Sequence, residues 1–188
     1  MRIVIGLAGS SSPIYGIRTL EALRQAGVET HLVVSDGARR TIPLETRLTV
    51  EKVESLATVV YDNHDLAASI SSGSFRTDGM IVAPCSMKTL AAIAYSFSQD
   101  LLARAADVTL KERRKLVLVP RETPLHLGHL RNMVQATELG AVILPPVPAF
   151  YHAPETVDDI INQTVGKILD QFQIEHALFR RWRGPGDG

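Results

Sequence analysis

The sequence contains a single cysteine, Cys85. One cysteine cannot form an intramolecular disulfide, and without a second cysteine nearby it gives no support to a structural zinc site. A cysteine that begins a helix is a candidate nucleophile, because the helix dipole lowers the pKa of the thiol. The alternative is a buried cysteine that serves only packing.

The sequence also lacks an excess of charge of either sign, since 20 Lys and Arg residues balance 20 Asp and Glu residues. Zero net charge gives no support to nucleic-acid binding. No apolar run reaches the roughly 18 residues that span a bilayer, and the apolar stretch at 3–9 is not followed by a cleavage-site pattern. We therefore expect a cytoplasmic protein with no nucleic-acid partner and no membrane insertion.

What the chain does contain is an ordinary globular composition, with 45% hydrophobic residues in a length of 188. This excludes disorder and fits one compact domain, which we predict at residues 1–183, with a mobile tail at 184–188. Short apolar runs rich in β-branched residues alternate with segments of helical spacing, which predicts an α/β protein with a parallel sheet covered on both faces. The predicted strands are 2–7, 30–34, 58–61, 79–83, 116–119 and 141–144, and the clearest helices are 15–26 and 156–173.

Small and hydroxyl-bearing residues follow several predicted strands, at the edge of a parallel sheet where ligands bind. The stretches are 9–12 (GSSS), 35–37 (SDG), 84–89 (PCSMKT) and 120–124 (PRETP). Backbone N–H groups and hydroxyls at helix starts can bind a phosphate, although the spacing matches neither a dinucleotide GxGxxG nor a Walker motif. Serine at these positions is also a routine helix cap, so both interpretations stay open.

Charged side chains and histidines give further candidates. Arg121 and Glu122 directly follow a predicted buried strand, where a cation beside a carboxylate suits proton transfer. The basic stretch 113–115 is interpreted as a solvated helix end. Histidines 126, 129 and 152 raise a metal hypothesis, but no nearby Cys or Asp completes a ligand set, so packing or capping is the favoured role and no metal is expected.

Seven motifs together give the sequence a family resemblance. It resembles the UbiX-type flavin prenyltransferases, formerly labelled aromatic-acid decarboxylase subunits, over residues 3 to about 182. The motifs are 9–16 (GSSSPIYG), 33–38 (VVSDGA), 44–46 (LET), 84–90 (PCSMKTL), 104–114 (RAADVTLKERR), 116–129 (LVLVPRETPLHLGH) and 145–151 (PPVPAFY).

The resemblance implies a three-layer Rossmann-like or flavodoxin-like domain. It also implies an enzyme that joins a dimethylallyl group from dimethylallyl phosphate to N5 and C6 of reduced FMN without a metal. The product, prenylated FMN, would serve a UbiD-type decarboxylase, and family members are usually homododecamers with sites at subunit contacts. The downstream pathway, and the choice between a monophosphate and a pyrophosphate donor, stay open.

The resemblance also implies which residues form the site. The expected FMN-binding set is Gly9, Ser10, Ser11, Ser35, Ser86, Met87, Lys88, Thr89 and Arg121. The expected prenyl-phosphate set is Tyr151, Lys167, Arg104, Lys111, Arg121 and Glu122. The expected catalytic set is Ser11, Glu45, Arg104, Lys111, Glu122 and Trp182, with Trp182 as a candidate lid.

Three departures from the family pattern bear on affinity. Ser12 and Pro13 replace a Gly and an Ala, Lys167 stands where Arg is frequent, and Asp36 replaces a common Lys.

Two other functions are alternatives to the prenyltransferase. One is a flavin-dependent cysteine decarboxylase, which predicts a PASANT-like stretch where this chain has PCSMKT. The other is an FMN carrier, or a non-catalytic subunit of an aromatic-acid decarboxylase system.

Overall fold

A computed structural model describes residues 1–182 and 184. Six strands form one sheet in the order β3-β2-β1-β4-β5-β6, and every neighbouring pair is parallel. The predicted strands and their parallel arrangement are confirmed. The strands are β1 (Arg2–Leu7), β2 (Glu29–Val34), β3 (Val59–Tyr61), β4 (Gly79–Cys85), β5 (Lys115–Pro120) and β6 (Val142–Ile143).

Helices cover both faces of the sheet, so the predicted three-layer α/β fold is confirmed. Buried residues of α1, α2, α3 and α7 share one hydrophobic cluster, and those of α4, α5 and α6 share the other. The helices are α1 (Ile14–Gln25), α2 (Asp36–Glu45), α3 (Val50–Glu54), α4 (Met87–Ala94), α5 (Leu101–Lys111), α6 (Leu127–Glu138) and α7 (Val157–Asp170), and a short 3-10 helix spans Ser69–Ser71.

The central strands are buried on both sides, which explains their continuous apolar sequence. All seven residues of β4 are buried. Helix α1 packs so closely on this strand that a Cβ atom added at Gly16 would lie 2.0 Å from the carbonyl oxygen of Ala83. Only glycine permits this approach, which fixes the start of α1 against the centre of the sheet.

Element boundaries differ from the prediction in a few places. Helix α7 begins after Thr156, whose hydroxyl accepts a hydrogen bond from the backbone N–H of Asp159 in a capping box. It ends at Asp170 rather than 173, and Gln173 has a left-handed φ of 56°. Pro84 and Cys85 belong to β4 rather than to the loop after it. The predicted tail at 184–188 lies outside the described residues except for Gly184, so the domain boundary stays a prediction.

The helices of the described residues are short. The longest, α7, has 14 residues. Within residues 1–182 and 184, none of the helices combines the length and apolar character needed to cross a bilayer.

Candidate functional site

The order of the strands creates a crevice at the carboxyl edge of the sheet. Strands β1 and β4 are neighbours, but the helices that follow them pack on opposite faces, so the loops after β1 and β4 diverge. Open α/β sheets bind ligands at such a point. A cavity of about 330 Å³ lies here and is lined by Gly9, Ser35, Asp36, Gly37, Asn63, His64, Ser86, Lys88, Thr89, Gln99 and Asp100.

Three helix N-termini meet at this cavity. Ser35 caps α2, and its hydroxyl accepts from the backbone N–H of Ala38 at 3.2 Å. Ser86 caps α4 in the same way, and Asp100 caps α5. The capping interpretation of the two serines is therefore confirmed. Because each N-terminus carries a partial positive charge and unpaired N–H groups, the same arrangement is suited to an anion such as a phosphate.

Two glycines bring the first loop and α2 into direct backbone contact. A Cβ atom added at Gly9 would lie 2.6 Å from the Cα atom of Gly37. This is well inside van der Waals contact, so both positions lack room for a side chain. The absence of side chains leaves the cavity wall formed by backbone, which allows a ligand to approach the N–H groups closely.

The first loop is also held by polar contacts. The Ser10 hydroxyl donates to the carbonyl oxygen of Arg121 at 2.8 Å, which ties the loops after β1 and β5 together. The Ser11 hydroxyl and the backbone N–H of Ser12 both donate to Oε2 of Glu45, at 2.9 and 2.7 Å. Ser12 has a φ of 71°, in the region that favours glycine, which explains why a Gly suits this position in the family pattern.

Arg121 and Glu122 follow β5 at the same edge of the sheet. The backbone N–H of Arg121 donates to the carbonyl oxygen of Cys85 at 3.3 Å. Glu122 is exposed, and its Oε1 accepts from the backbone N–H of Thr123 at 3.0 Å. Both residues therefore lie just beyond the end of β5, and the bond from the Ser10 hydroxyl to the Arg121 carbonyl places them next to the first loop.

Tyr151, Lys167 and Trp182 lie on or beside α7, which packs against α1. The rings of Tyr151 and Trp182 are 6.4 Å apart with an edge-to-face geometry, and Gln163 Nε2 lies 3.4 Å from the Tyr151 hydroxyl. Lys167 Nζ lies 3.7 Å from Asp170, which also binds Arg181 at 2.6 Å. Trp182 is 63% exposed, so residues 1–182 and 184 leave this ring open to solvent.

Arg104 and Lys111 lie on α5, at increasing distance from the cavity. Arg104 is one turn from Asp100, and its guanidinium binds the Ser71 carbonyl and the Asp107 carboxylate. Lys111 is the last residue of α5 and pairs with Glu112. Since α5 runs away from the cavity and β5 runs back, Lys111 lies at the amino edge of the sheet. A single chain does not bring Lys111 to Arg121 and Glu122.

Cys85 and His126 have structural roles. Cys85 is fully buried, and burial raises the pKa of its thiol to about 12, which favours the packing role over the nucleophile. His126 caps α6, and the centroid of its ring lies 3.6 Å from that of His129, with the two rings tilted by 32°. Over residues 1–182 and 184, no group of three or more His, Cys, Asp or Glu side chains is placed to hold a metal ion.

Several cavity residues were not predicted from the sequence. Asn63 and His64 follow β3 in a loop that lacks the small hydroxyl-bearing residues found after the other strands. Gln99 and Asp100 precede α5, where an aspartate before an apolar helix signals a cap. Asn63 is buried and holds the start of α5. Its backbone carbonyl oxygen accepts a hydrogen bond from the N–H of Leu101, and its Oδ1 accepts one from the N–H of Leu102.

Comparison with known proteins identifies the family of this chain. A family model described as Flavoprotein matches residues 1–169. A flavin prenyltransferase UbiX of Thauera aromatica is 65% identical over 184 residues, covering 98% of this chain and 95% of the relative. The chain belongs to the UbiX flavin prenyltransferase family. The family resemblance seen in the sequence is therefore confirmed over nearly the whole chain.

Solved structures support this membership. A dodecameric FMN-dependent UbiX-like decarboxylase from Escherichia coli O157:H7 has a TM-score of 0.96 and 53% identity, covering 98% of this chain and 100% of the other. AnUbiX (PadA1), in complex with FMN and dimethylallyl pyrophosphate, has a TM-score of 0.96 and 55% identity, covering 97% of each chain. The cysteine decarboxylase TvaF is only 18% identical with a TM-score of 0.62, a likeness of fold alone.

Proposed function

We propose that this chain joins a dimethylallyl group from dimethylallyl phosphate to N5 and C6 of reduced FMN, which is a substrate here. The observation that carries the proposal is the convergence of three helix N-termini on one cavity in a member of the flavin prenyltransferase family. A solved relative whose chain is 55% identical binds FMN and dimethylallyl pyrophosphate. The proposed product, prenylated FMN, would be used by a UbiD-type decarboxylase in the cytoplasm.

The cavity fits the phosphate end of FMN. Gly9, Ser35, Ser86, Lys88 and Thr89 line it. Their hydroxyls, the N–H groups of two helix starts and one ammonium group supply the donors that a phosphate needs. The flavin ring would extend from there toward the first loop, Met87 and Arg121, with Ser10 holding the loop and Arg121 together.

The prenyl phosphate would lie beyond the flavin, near Arg121, Tyr151 and Lys167. When its C–O bond breaks, negative charge collects on the leaving phosphate, so cations and a phenol hydroxyl there stabilise the transition state. Arg104 and Lys111 belong to this proposed set as well. Because Lys111 lies at the amino edge of its own sheet, it would act on a site of a neighbouring copy.

Proton transfer is assigned to Glu122 and to the pair Ser11 and Glu45. Glu122 is exposed beside Arg121, where it can protonate the leaving phosphate. The hydrogen bond of 2.9 Å between Ser11 and Glu45 gives a path for the proton that leaves flavin C6. Trp182 would close the site, since an allylic cation must be protected from water.

A homo-oligomer is part of this proposal, and a dodecamer is its expected form. One solved relative is dodecameric. The outer face of α6 carries Leu127, Leu130 and Val134, all exposed, and Tyr95 and Phe97 are exposed beside the cavity. Large apolar side chains grouped on a surface are typical of contacts between chains. Such contacts would also cover Trp182 and place Lys111 at the site of a neighbouring copy.

The test is anaerobic incubation of the purified protein with reduced FMN and dimethylallyl phosphate, followed by mass spectrometry of the extracted flavin. A gain of one five-carbon prenyl unit is expected, and a parallel incubation with the pyrophosphate identifies the donor. FMN that binds but stays unmodified with both donors would refute the prenyltransferase and favour the carrier. Glu122→Gln is expected to bind FMN and lose turnover, and equal activity in that variant would refute the role of Glu122.

A further inference from the structure

The charges around the phosphate cavity are unusual for an anion site. Four of the residues that line it can carry a charge, and two of these are aspartates: the lining contains Lys88, His64, Asp36 and Asp100. The Asp100 carboxylate has a structural role, because its Oδ1 caps α5 by accepting a hydrogen bond from the N–H of Ala103 at 2.9 Å. Asp36 has no such backbone partner among the contacts of the described residues, so its charge needs another explanation.

Asp36 is the first residue of α2, directly after the Ser35 cap. A carboxylate there interacts favourably with the helix N-terminus, and it competes with a bound phosphate for the same partial positive charge. His64, from the loop after β3, lies opposite, with its Nε2 atom 3.2 Å from Oδ1 of Asp36. A hydrogen bond from the imidazole to this carboxylate offsets part of the negative charge that a phosphate would face.

Both side chains are accessible to a ligand. The Asp36 side chain is 63% exposed and that of His64 is 66% exposed. The His64 backbone is fixed, since its N–H donates to Asp62 Oδ1 at 3.0 Å and the adjacent Asn63 is locked onto α5. The backbone thus holds His64 at the edge of the cavity, where its imidazole contacts Asp36.

We propose that Asp36 and His64 form a hydrogen-bonded pair that sets how tightly the phosphate of FMN is held. Asp36 weakens phosphate binding, and His64 counters it. This inference rests on the proposed function, in which FMN enters as a substrate and must leave as a larger product. A carboxylate beside the phosphate favours release of the modified flavin, whereas a resident cofactor would call for cations alone.

The experiment compares the dissociation constants of FMN and riboflavin, measured by quenching of flavin fluorescence. Riboflavin lacks the phosphate, so it reports every effect except the one proposed. Asp36→Asn is expected to tighten FMN binding by about fivefold, the factor for one unit charge a few ångströms away in a water-exposed setting, and to leave riboflavin unchanged. His64→Gln is expected to weaken FMN binding and to leave riboflavin binding unchanged, because Asp36 then loses the imidazole that partners it.

The double variant tests the coupling of the pair. The effect of His64→Gln should shrink by half or more when Asp36 is already Asn, whereas independent residues would give additive effects. Asp158→Asn is the matched control. Asp158 lies on α7, its side chain is 61% exposed, and it pairs with Arg18 of α1. It does not line the cavity, so FMN affinity should not change.

The inference is overturned if Asp36→Asn shifts FMN and riboflavin affinity equally, if it leaves FMN affinity unchanged, or if the two substitutions are additive. A protein that binds FMN with this dependence on Asp36 and His64 but transfers no prenyl group would contradict the proposed function and support the role of the pair. A protein that binds neither FMN nor riboflavin would contradict both.

Discussion

Replacing Gly9 by alanine tests whether the backbone contact between the first loop and α2 shapes the site. The new Cβ atom would lie 2.6 Å from Cα and 2.8 Å from the carbonyl carbon of Gly37. Ordinary van der Waals contact begins at 3.4 Å, so the two segments must separate by about 0.8 Å. Because both atoms of Gly37 belong to the backbone, no side-chain rotation can relieve the clash.

Two effects of different size should follow. Forced separation of packed segments costs about 1–3 kcal/mol of unfolding free energy, which lowers the melting temperature by about 2–4 °C for each kcal/mol. The separation also moves the Ser35 cap away from the first loop, so a phosphate bound between them loses at least one charge-assisted hydrogen bond. Such a loss of about 1.5–3 kcal/mol weakens FMN binding by about tenfold to a hundredfold.

The control is Gly27→Ala. Gly27 has a φ of 68° and nothing within 4 Å of an added Cβ atom, so alanine there strains only the backbone, at a cost of about 1–2 kcal/mol. It lies between α1 and β2, at the edge of the sheet away from the cavity. Both variants should lose stability, but only Gly9→Ala should lose FMN affinity. Unchanged FMN affinity in Gly9→Ala would refute the reasoning.

Two further predictions concern titratable groups outside the site. A hydrogen bond from Arg2, together with His31, lowers the pKa of Glu29 to about 2 in the folded protein. Its contribution to stability is therefore present above its ordinary pKa of 4.5 and is lost as the pH falls toward 2. Urea unfolding should show Glu29→Gln to be less stable than the original protein at pH 7 and the difference to shrink between pH 5 and pH 2; a constant difference contradicts this. Burial raises the pKa of Cys85 to about 12, so a disulfide reagent at pH 8 should label it only after unfolding, and rapid labelling of the folded protein contradicts its packing role.

The secondary structure of this protein was largely readable from its sequence. The strands stand out because each is a short apolar run, and the helices because their apolar residues recur at helical spacing. The serine-rich loops were predicted to start helices, and Ser35 and Ser86 do cap α2 and α4. The errors lie at element ends, such as Cys85 in β4, where local preference is weak and tertiary pairing decides.

Motifs in the sequence also identified the family, because a family pattern consists of residue types at fixed spacings along the chain. The serines, glycines and charged residues of the site were named from that resemblance. Their place at the carboxyl edge of the sheet was predictable, but which of them contact each other was not. The Ser10 hydroxyl donates to the carbonyl oxygen of Arg121, which lies 111 positions later in the sequence. No local sequence pattern predicts such a contact.

The sequence by itself determined the alternation of strands and helices, the small residues at strand ends and the family, since all of these depend on local composition and spacing. The tertiary structure alone decided which loops meet. The order of the strands places the loops after β1, β2 and β4 around one cavity. The same order places Asn63, His64 and Asp100 beside this cavity and Lys111 at the opposite edge of the sheet. These positions follow from long-range strand pairing and helix packing, which no segment of the chain specifies alone.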